Sequence, residues 1–322
     1  MILPRRADDA LQAIAGSKPS SKAMTQAWLA QRERSSVFVI RVMVWITLAL
    51  GRRVGRLLLY PICLYYLAFS VRARRASRQY LSKVLGREPA LLDVFRHYYT
   101  FAAVALDRVF FLKGRLNAFD VRIDGEHLML EALAAGRGCL LIGAHLGSFE
   151  ALRALGRTKE VRVNLVMYEG NARNIIAVTK AIDPELASAV IPLGSFDSML
   201  RVAECLERGE WIGVLADRAL DREGQELASF LGQPAAFPAS PFRIAAMLKR
   251  PVILMIGLYR GGNRYELRFE RLLDEAELVR RDRDAVREWV QRYAARLEYY
   301  CREAPYNWFN FYDFWDERKR TH

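Results

Sequence analysis

The chain has 322 residues, 52% of them hydrophobic, and a net charge of +13. This composition excludes a mainly disordered chain and allows one large domain or a domain with an appendage. Cys63, Cys139, Cys205 and Cys301 lie far apart with no CxxC spacing, and read as reduced, structural thiols in a protein body facing the cytoplasm.

The charge is unevenly placed. Residues 1–87 carry 16 Lys/Arg against 3 Asp/Glu, whereas residues 88–322 hold 33 of each sign. Residues 1–34 are polar, with "GSKPSSK" at 16–22, and are expected to form a surface arm. Two apolar runs follow, "VFVIRVMVWITLAL" (37–50) and "LLLYPICLYYLAFSV" (57–71). They flank Arg52, Arg53 and Arg56 and lead into "RARRASR" at 72–78. Basic clusters beside aliphatic and aromatic runs suit an anionic membrane surface, where each nearby cation contributes about 1 kcal/mol. Nucleic acid would not require the apolar runs, so none is expected as a partner. Fifteen helical residues rise about 22 Å, against a hydrocarbon core of about 30 Å. An interfacial helical hairpin, or a short anchor with an amphipathic helix, is therefore the expected form of residues 35–87. Two buried helices of a soluble domain are the alternative.

From residue 88 the pattern changes to that of a domain extending to 322. "FDVRID" (119–124), "GCLLIGA" (138–144), "VRVNLVM" (161–167), "WIGVLAD" (211–217), "PVILMIGLY" (251–259) and "RYELRFE" (264–270) read as strands. Several are continuously apolar, as strands covered on both faces are. Helical periodicity falls near 126–135, 148–157, 172–182, 197–208 and 240–249. A longer stretch, 275–303, places Val286, Trp289, Val290, Tyr293, Leu297 and Tyr300 on one face. Alternating strands and helices predict a three-layer α/β domain with a mixed, largely parallel sheet.

One of the chain's four histidines, His145, follows the strand 138–144, and "GSFE" after it starts a helix. Ligands and catalytic side chains collect at such strand ends. If both were helical, His145 and Glu150 would be separated by about 140° around the axis. With His145 in the turn, Glu150 can reach back to one imidazole nitrogen, orienting and strengthening a base. A core histidine beside a solvated glutamate is equally compatible with the spacing. Asp217 and Arg218 end the strand 211–217, where Arg218 can hold a phosphate or oxyanion positioned by Asp217. A structural ion pair is their alternative. Asn171 and Arg173 follow another strand end and are weaker candidates for acceptor binding, a solvated loop being the bland reading. Gly232, Pro234 and Pro238 in "FLGQPAAFP" are expected to set turns before a helix. No GxSxG elbow, HExxH or Walker loop is present.

"AHLGSFE" resembles the HxxxxD/E signature of the glycerolipid acyltransferase superfamily. Its surroundings are similar to the lipid A biosynthesis acyltransferases of Gram-negative bacteria: the strand before it, "VLADR" (214–218), "FLGQPAAFPASPFRIA" (230–245) followed by "KRPVI", and "PYNWFNFYDFW" (305–315). The resemblance covers roughly residues 100–315 and includes the basic, apolar N-terminus. It implies a membrane-associated enzyme of the bacterial inner membrane with its catalytic domain on the cytoplasmic side. His145 would be the general base and Glu150 its partner. The donor would be an acyl-carrier protein or acyl-CoA thioester, the acceptor a hydroxyl or amine of a membrane lipid. No covalent intermediate, metal or redox cofactor is needed. Ala144 stands where many glycerol-phosphate acyltransferases have Asn, and "NWFNFYDFW" differs in detail from typical lipid A enzymes, which favours a divergent branch acting on another lipid or a polyene-type membrane product. A non-catalytic lipid-binding protein and an acyl hydrolase of the same fold are the competing readings.

Overall fold

The computed structural model describes residues 47, 49–151, 155–156, 161–168, 189–193, 196–218 and 224–315. The chain divides into two compact units, Met1–Ile40 and Arg41–His322, and all described residues lie in the second. Three helices come first: α1 (Arg52–Phe69), α2 (Val71–Leu85) and α3 (Leu91–Leu112). A seven-stranded sheet follows, made of β1 (Asp120–Asp124), β2 (Leu140–Gly143), β3 (Val163–Tyr168), β4 (Val190–Leu193), β5 (Trp211–Leu215), β8 (Val252–Tyr259) and β9 (Arg264–Leu273). A separate antiparallel hairpin is formed by β6 (Gln225–Phe230) and β7 (Gln233–Pro238). The remaining α-helices among the described residues are α4 (Glu126–Ala134), α5 (Phe196–Glu207), α6 (Ser240–Leu248) and α7 (Arg283–Glu303).

The sheet order is β1-β9-β8-β2-β5-β3-β4. Every neighbouring pair is parallel except β8 with β9. The expectation of an α/β domain with a mixed, mostly parallel sheet therefore holds. Central β8 is buried at all eight positions, the property that its unbroken apolar run requires. Alternate residues of the strands feed two apolar clusters, one on each face. Leu140, Ile142, Leu254 and Ile256 join Tyr80, Leu81 and the inner face of α7. Leu141, Ile253, Met255 and Leu267 join Val104, Phe111 and Met129 of α3 and α4.

Helix α7 starts at an Asp282 cap whose carboxylate accepts from Ala285 N at 2.8 Å. The six residues expected on its apolar face, Val286 to Tyr300, are all buried. Two features differ from the sequence reading. The block 230–238 is a hairpin rather than a series of turns: Leu231 and Gly232 both have positive φ and make the reversal, while Pro234 and Pro238 lie in edge strand β7. Helix α3 covers a segment for which no element was expected; it carries Asp93, His97 and Asp107 on one face and buries all three.

Of the expected anchor, the first apolar run lies mostly outside the described residues and the second forms α1. Among the described residues no single helix is long and apolar enough to cross a membrane; α1 and α2 pass that test only as a pair, bent by 95°. Their inner faces are part of the body, with Leu59, Cys63, Tyr80 and Leu81 in the two clusters that cover the sheet. Arg52 and Arg56 both bond the buried Asp107 of α3, at 2.6 Å and 2.8 Å.

Candidate active site

Strands β2 and β5 are adjacent and parallel, with Gly143 opposite Leu215. His145 and Asp217 each follow that pair by two residues, so the register delivers both side chains to the same edge of the sheet. Nδ1 of His145 lies 2.8 Å from Oδ1 of Asp217, and the His145 backbone N–H donates to Oδ2 at 3.1 Å. A carboxylate at Nδ1 places the ring proton there and leaves the lone pair on Nε2. Asp217 is 1% exposed and the His145 side chain 33% exposed. The arrangement is a buried carboxylate behind an imidazole that reaches solvent.

Burial, and then the charge of Arg218, lower the His145 pKa, against the opposing pull of Asp217 and Glu150. The imidazole is therefore neutral at physiological pH, the form that accepts a proton. Burial alone would raise the Asp217 pKa, but His145, Arg218 and Trp308 outweigh it and hold the group at about 2.

The turn after β2 is fixed by close backbone contacts. Gly147 has φ +66°, and a side-chain carbon there would run into the Gly257 carbonyl of β8. Ser148 N donates to Gly257 O at 2.7 Å, and the Tyr293 hydroxyl of α7 donates to Gly143 O at 2.8 Å.

The C-terminal aromatic segment closes the other side. Gly147 N donates to Asn307 O at 2.9 Å and Phe309 N to His145 O at 2.8 Å, so residues 307–309 run as a short strand against the motif loop. The Trp308 indole N–H donates to Asp217 Oδ2 at 2.9 Å. Behind it, the Trp308 carbonyl lies 2.8 Å from Nε2 of His97, whose Nδ1 lies 2.8 Å from Ser77 Oγ. The carbonyl can only accept, so His97 carries its proton on Nε2 and takes the Ser77 hydroxyl at Nδ1. Burial lowers the His97 pKa to about 4, although the Trp308 carbonyl acts in the other direction, and the ring stays neutral.

Of the sequence-derived candidates, His145, Asp217 and Arg218 come together. Arg218 donates to Phe309 O at 3.0 Å and lies 5.6 Å from the Tyr312 ring centroid. It also lines a narrow apolar cleft with Val166, Val202, Ile212, Pro241 and Ile244. Glu150 does not take the place expected of it. Its carboxylate meets Arg108 Nε of α3 at 2.8 Å, and the His145 nitrogen expected to face it belongs to Asp217. The helical turn after Phe149 accounts for this, because it carries residue 150 round toward α3 while Phe149 packs on Gly213. Asn171 and Arg173 lie outside the described residues. Trp308, His97 and Arg108 were not singled out from sequence; only the aromatic density of 305–315 signalled the first.

Compared with known protein families, residues 24–316 match the bacterial lipid A biosynthesis acyltransferases. The chain belongs to this family. It is thus an acyltransferase, and the family acts on lipid substrates. No individual curated protein matches the chain. The matched span includes His145, Asp217 and Trp308, so the site described above lies wholly within the acyltransferase region.

Proposed function

We propose that this acyltransferase moves a fatty acyl group from an acyl-carrier protein or acyl-CoA thioester to a hydroxyl or amine of a membrane lipid, with His145 as general base. The observation that carries this reading is the 2.8 Å contact between His145 Nδ1 and Asp217, which leaves Nε2 as the proton acceptor on the exposed side of the ring. The acceptor's O–H or N–H gives its proton to Nε2 as the oxygen or nitrogen attacks the thioester carbonyl carbon. The tetrahedral oxyanion collapses, the C–S bond breaks, and the thiolate takes the proton back from the imidazolium. Asp217 fixes the tautomer of the neutral ring and stabilises the imidazolium once it forms, and Arg218 supplies positive charge beside the oxyanion. Val166, Ile212 and Ile244 give the site an apolar wall beside Arg218. Glu150 is held by Arg108, and Asp217 is the direct partner of the base.

The chain's place is the bacterial inner membrane with this domain on the cytoplasmic side. Residues 35–87 serve as the segment that meets the anionic surface and 88–322 as the acyltransferase domain; the arm expected at 1–34 lies outside the described residues. The exposed apolar side chains of α1 support this arrangement.

The test is transfer of labelled acyl groups from carrier protein and from CoA to native membrane lipids, with the product identified by mass spectrometry. His145→Ala should lower the rate by 10²-fold or more, roughly the contribution of a general base, with the fold intact. A folded His145→Ala protein with wild-type turnover would reject the mechanism. Release of free fatty acid in place of acyl lipid would assign the same pair to hydrolysis.

A further inference from the structure

Helix α1 shows an apolar stripe to solvent. Leu57, Leu64, Tyr65 and Phe69 are each more than half exposed, and Val71 at the start of α2 continues the row. Exposed apolar side chains in a continuous row mark an interaction surface. At its end, Val71 enters the wall of a cleft of about 400 Å³ on α2, lined also by Arg74, Arg75, Arg78, Gln79 and Ser82, with Glu88 at its edge. Residues 52–85 contain seven arginines and one lysine and no Asp or Glu. Two of those arginines, Arg52 and Arg56, are committed to Asp107. Arg74 Nη1 donates to Leu67 O at 2.6 Å, which joins the wall of the cleft to the C-terminal turn of α1. Arg75 and Arg78 are exposed, and the Arg78–Glu88 pair is 3.9 Å long between two solvated side chains, too weak to neutralise the cleft.

We propose that this α2 cleft binds the phosphate of an anionic phospholipid, with α1 lying in the membrane interface so that its stripe meets the acyl region and the arginines lie at headgroup depth. The proposal rests on the membrane-surface reading given above and names the lipid group that the surface recognises. Charge decides the occupant: an apolar row that ends in uncompensated arginines matches the two zones of an anionic leaflet. Arg75 and Arg78 are three residues apart on one face of α2, so one phosphate can take donors from both.

The experiment is flotation of the full-length chain, exchanged from detergent in the presence of vesicles of phosphatidylcholine alone or mixed with phosphatidylglycerol. A cation beside an anionic surface is worth about fivefold in partition, so Arg75→Gln/Arg78→Gln should lose roughly 25-fold on the mixed vesicles. It should change little on phosphatidylcholine. Arg75→Lys/Arg78→Lys should keep most of the binding. Arg281→Gln/Arg287→Gln, which removes two exposed arginines outside the cleft, should leave it unchanged. Equal losses from both glutamine pairs would mean diffuse attraction and would overturn the proposal, as would no loss from the cleft pair. Unchanged flotation with lost cross-linking to acyl-carrier protein would give the cleft to the donor instead and overturn it too. If the wild-type chain floats with neither vesicle, the membrane reading falls with the cleft, while acyl transfer to detergent-dispersed lipid still reports on the active site separately.

Discussion

The Trp308 indole N–H donates to Oδ2 of Asp217 at 2.9 Å, across 91 residues of sequence. Asp217 is thereby held from two sides, by Trp308 and the His145 backbone at Oδ2 and by the imidazole at Oδ1. Trp308→Phe keeps the ring's packing and removes the donor. A hydrogen bond to a charged group contributes about 1.5–3 kcal/mol, so kcat/KM should fall by roughly 10- to 100-fold. Because Trp308 also helps to keep the Asp217 pKa low, the pH–rate profile should change shape, which simple loss of packing would not produce. A variant with reduced thermal stability and an unaltered profile would show that the indole only fills space.

The two carboxylates near the base should separate clearly on mutation. Asp217→Asn leaves the volume in place but cannot stabilise an imidazolium, and its amide can favour the wrong tautomer. Where a triad aspartate is replaced in this way the loss is about 10⁴, and here roughly 10³-fold or more in kcat is expected. Glu150→Gln breaks the ion pair with Arg108, in which both partners retain some solvent contact, and should cost less than about tenfold. The reverse ranking in steady-state kinetics would return the orienting role to Glu150.

The acid limb of the kcat/KM profile should fall below 6.5, the ordinary histidine value, because burial and the Arg218 charge lower the His145 pKa. The sign is testable at Arg218. Arg218→Gln removes a cation that disfavours the imidazolium, so the limb should move to higher pH even as the maximal rate drops. A limb that stays in place would mean that Arg218 does not act on the base.

His97 makes a second pH prediction, on stability. Its folded pKa is depressed to about 4 from 6.5, so the folded state binds fewer protons than the unfolded state between those values. Its contribution is fully present above pH 6.5 and is lost as pH falls toward 4, by about 3 kcal/mol in total at about 1.4 kcal/mol per pKa unit. Denaturant unfolding of wild type and His97→Gln across that range should show the wild type losing more stability on acidification. Parallel curves would contradict the neutral, buried imidazole.

Much of this protein was legible in one dimension. The short, β-branched apolar run that became β8 reads as a strand covered on both faces, and the stripe Val286–Tyr300 specified the buried face of α7, because its period follows directly from helix geometry. His145 and Asp217 were each visible as polar residues at the ends of apolar strands. What the sequence left undetermined was which carboxylate serves the histidine. Spacing allowed Glu150, five residues away, to reach the ring, and the resemblance made it the partner; nothing local linked the ring to Asp217, 72 residues away. Only strand order decides that question: β2 lies beside β5 in parallel, Gly143 opposite Leu215, and the same two-residue step on each strand brings His145 and Asp217 to hydrogen-bonding distance. Trp308 and His97 join for the same reason, as parts of a C-terminal segment that returns to the motif loop and a helix packed beneath it. Periodicity is a local property and survives in the sequence, whereas contact between strand ends is set by the packing of the whole sheet and exists only after folding.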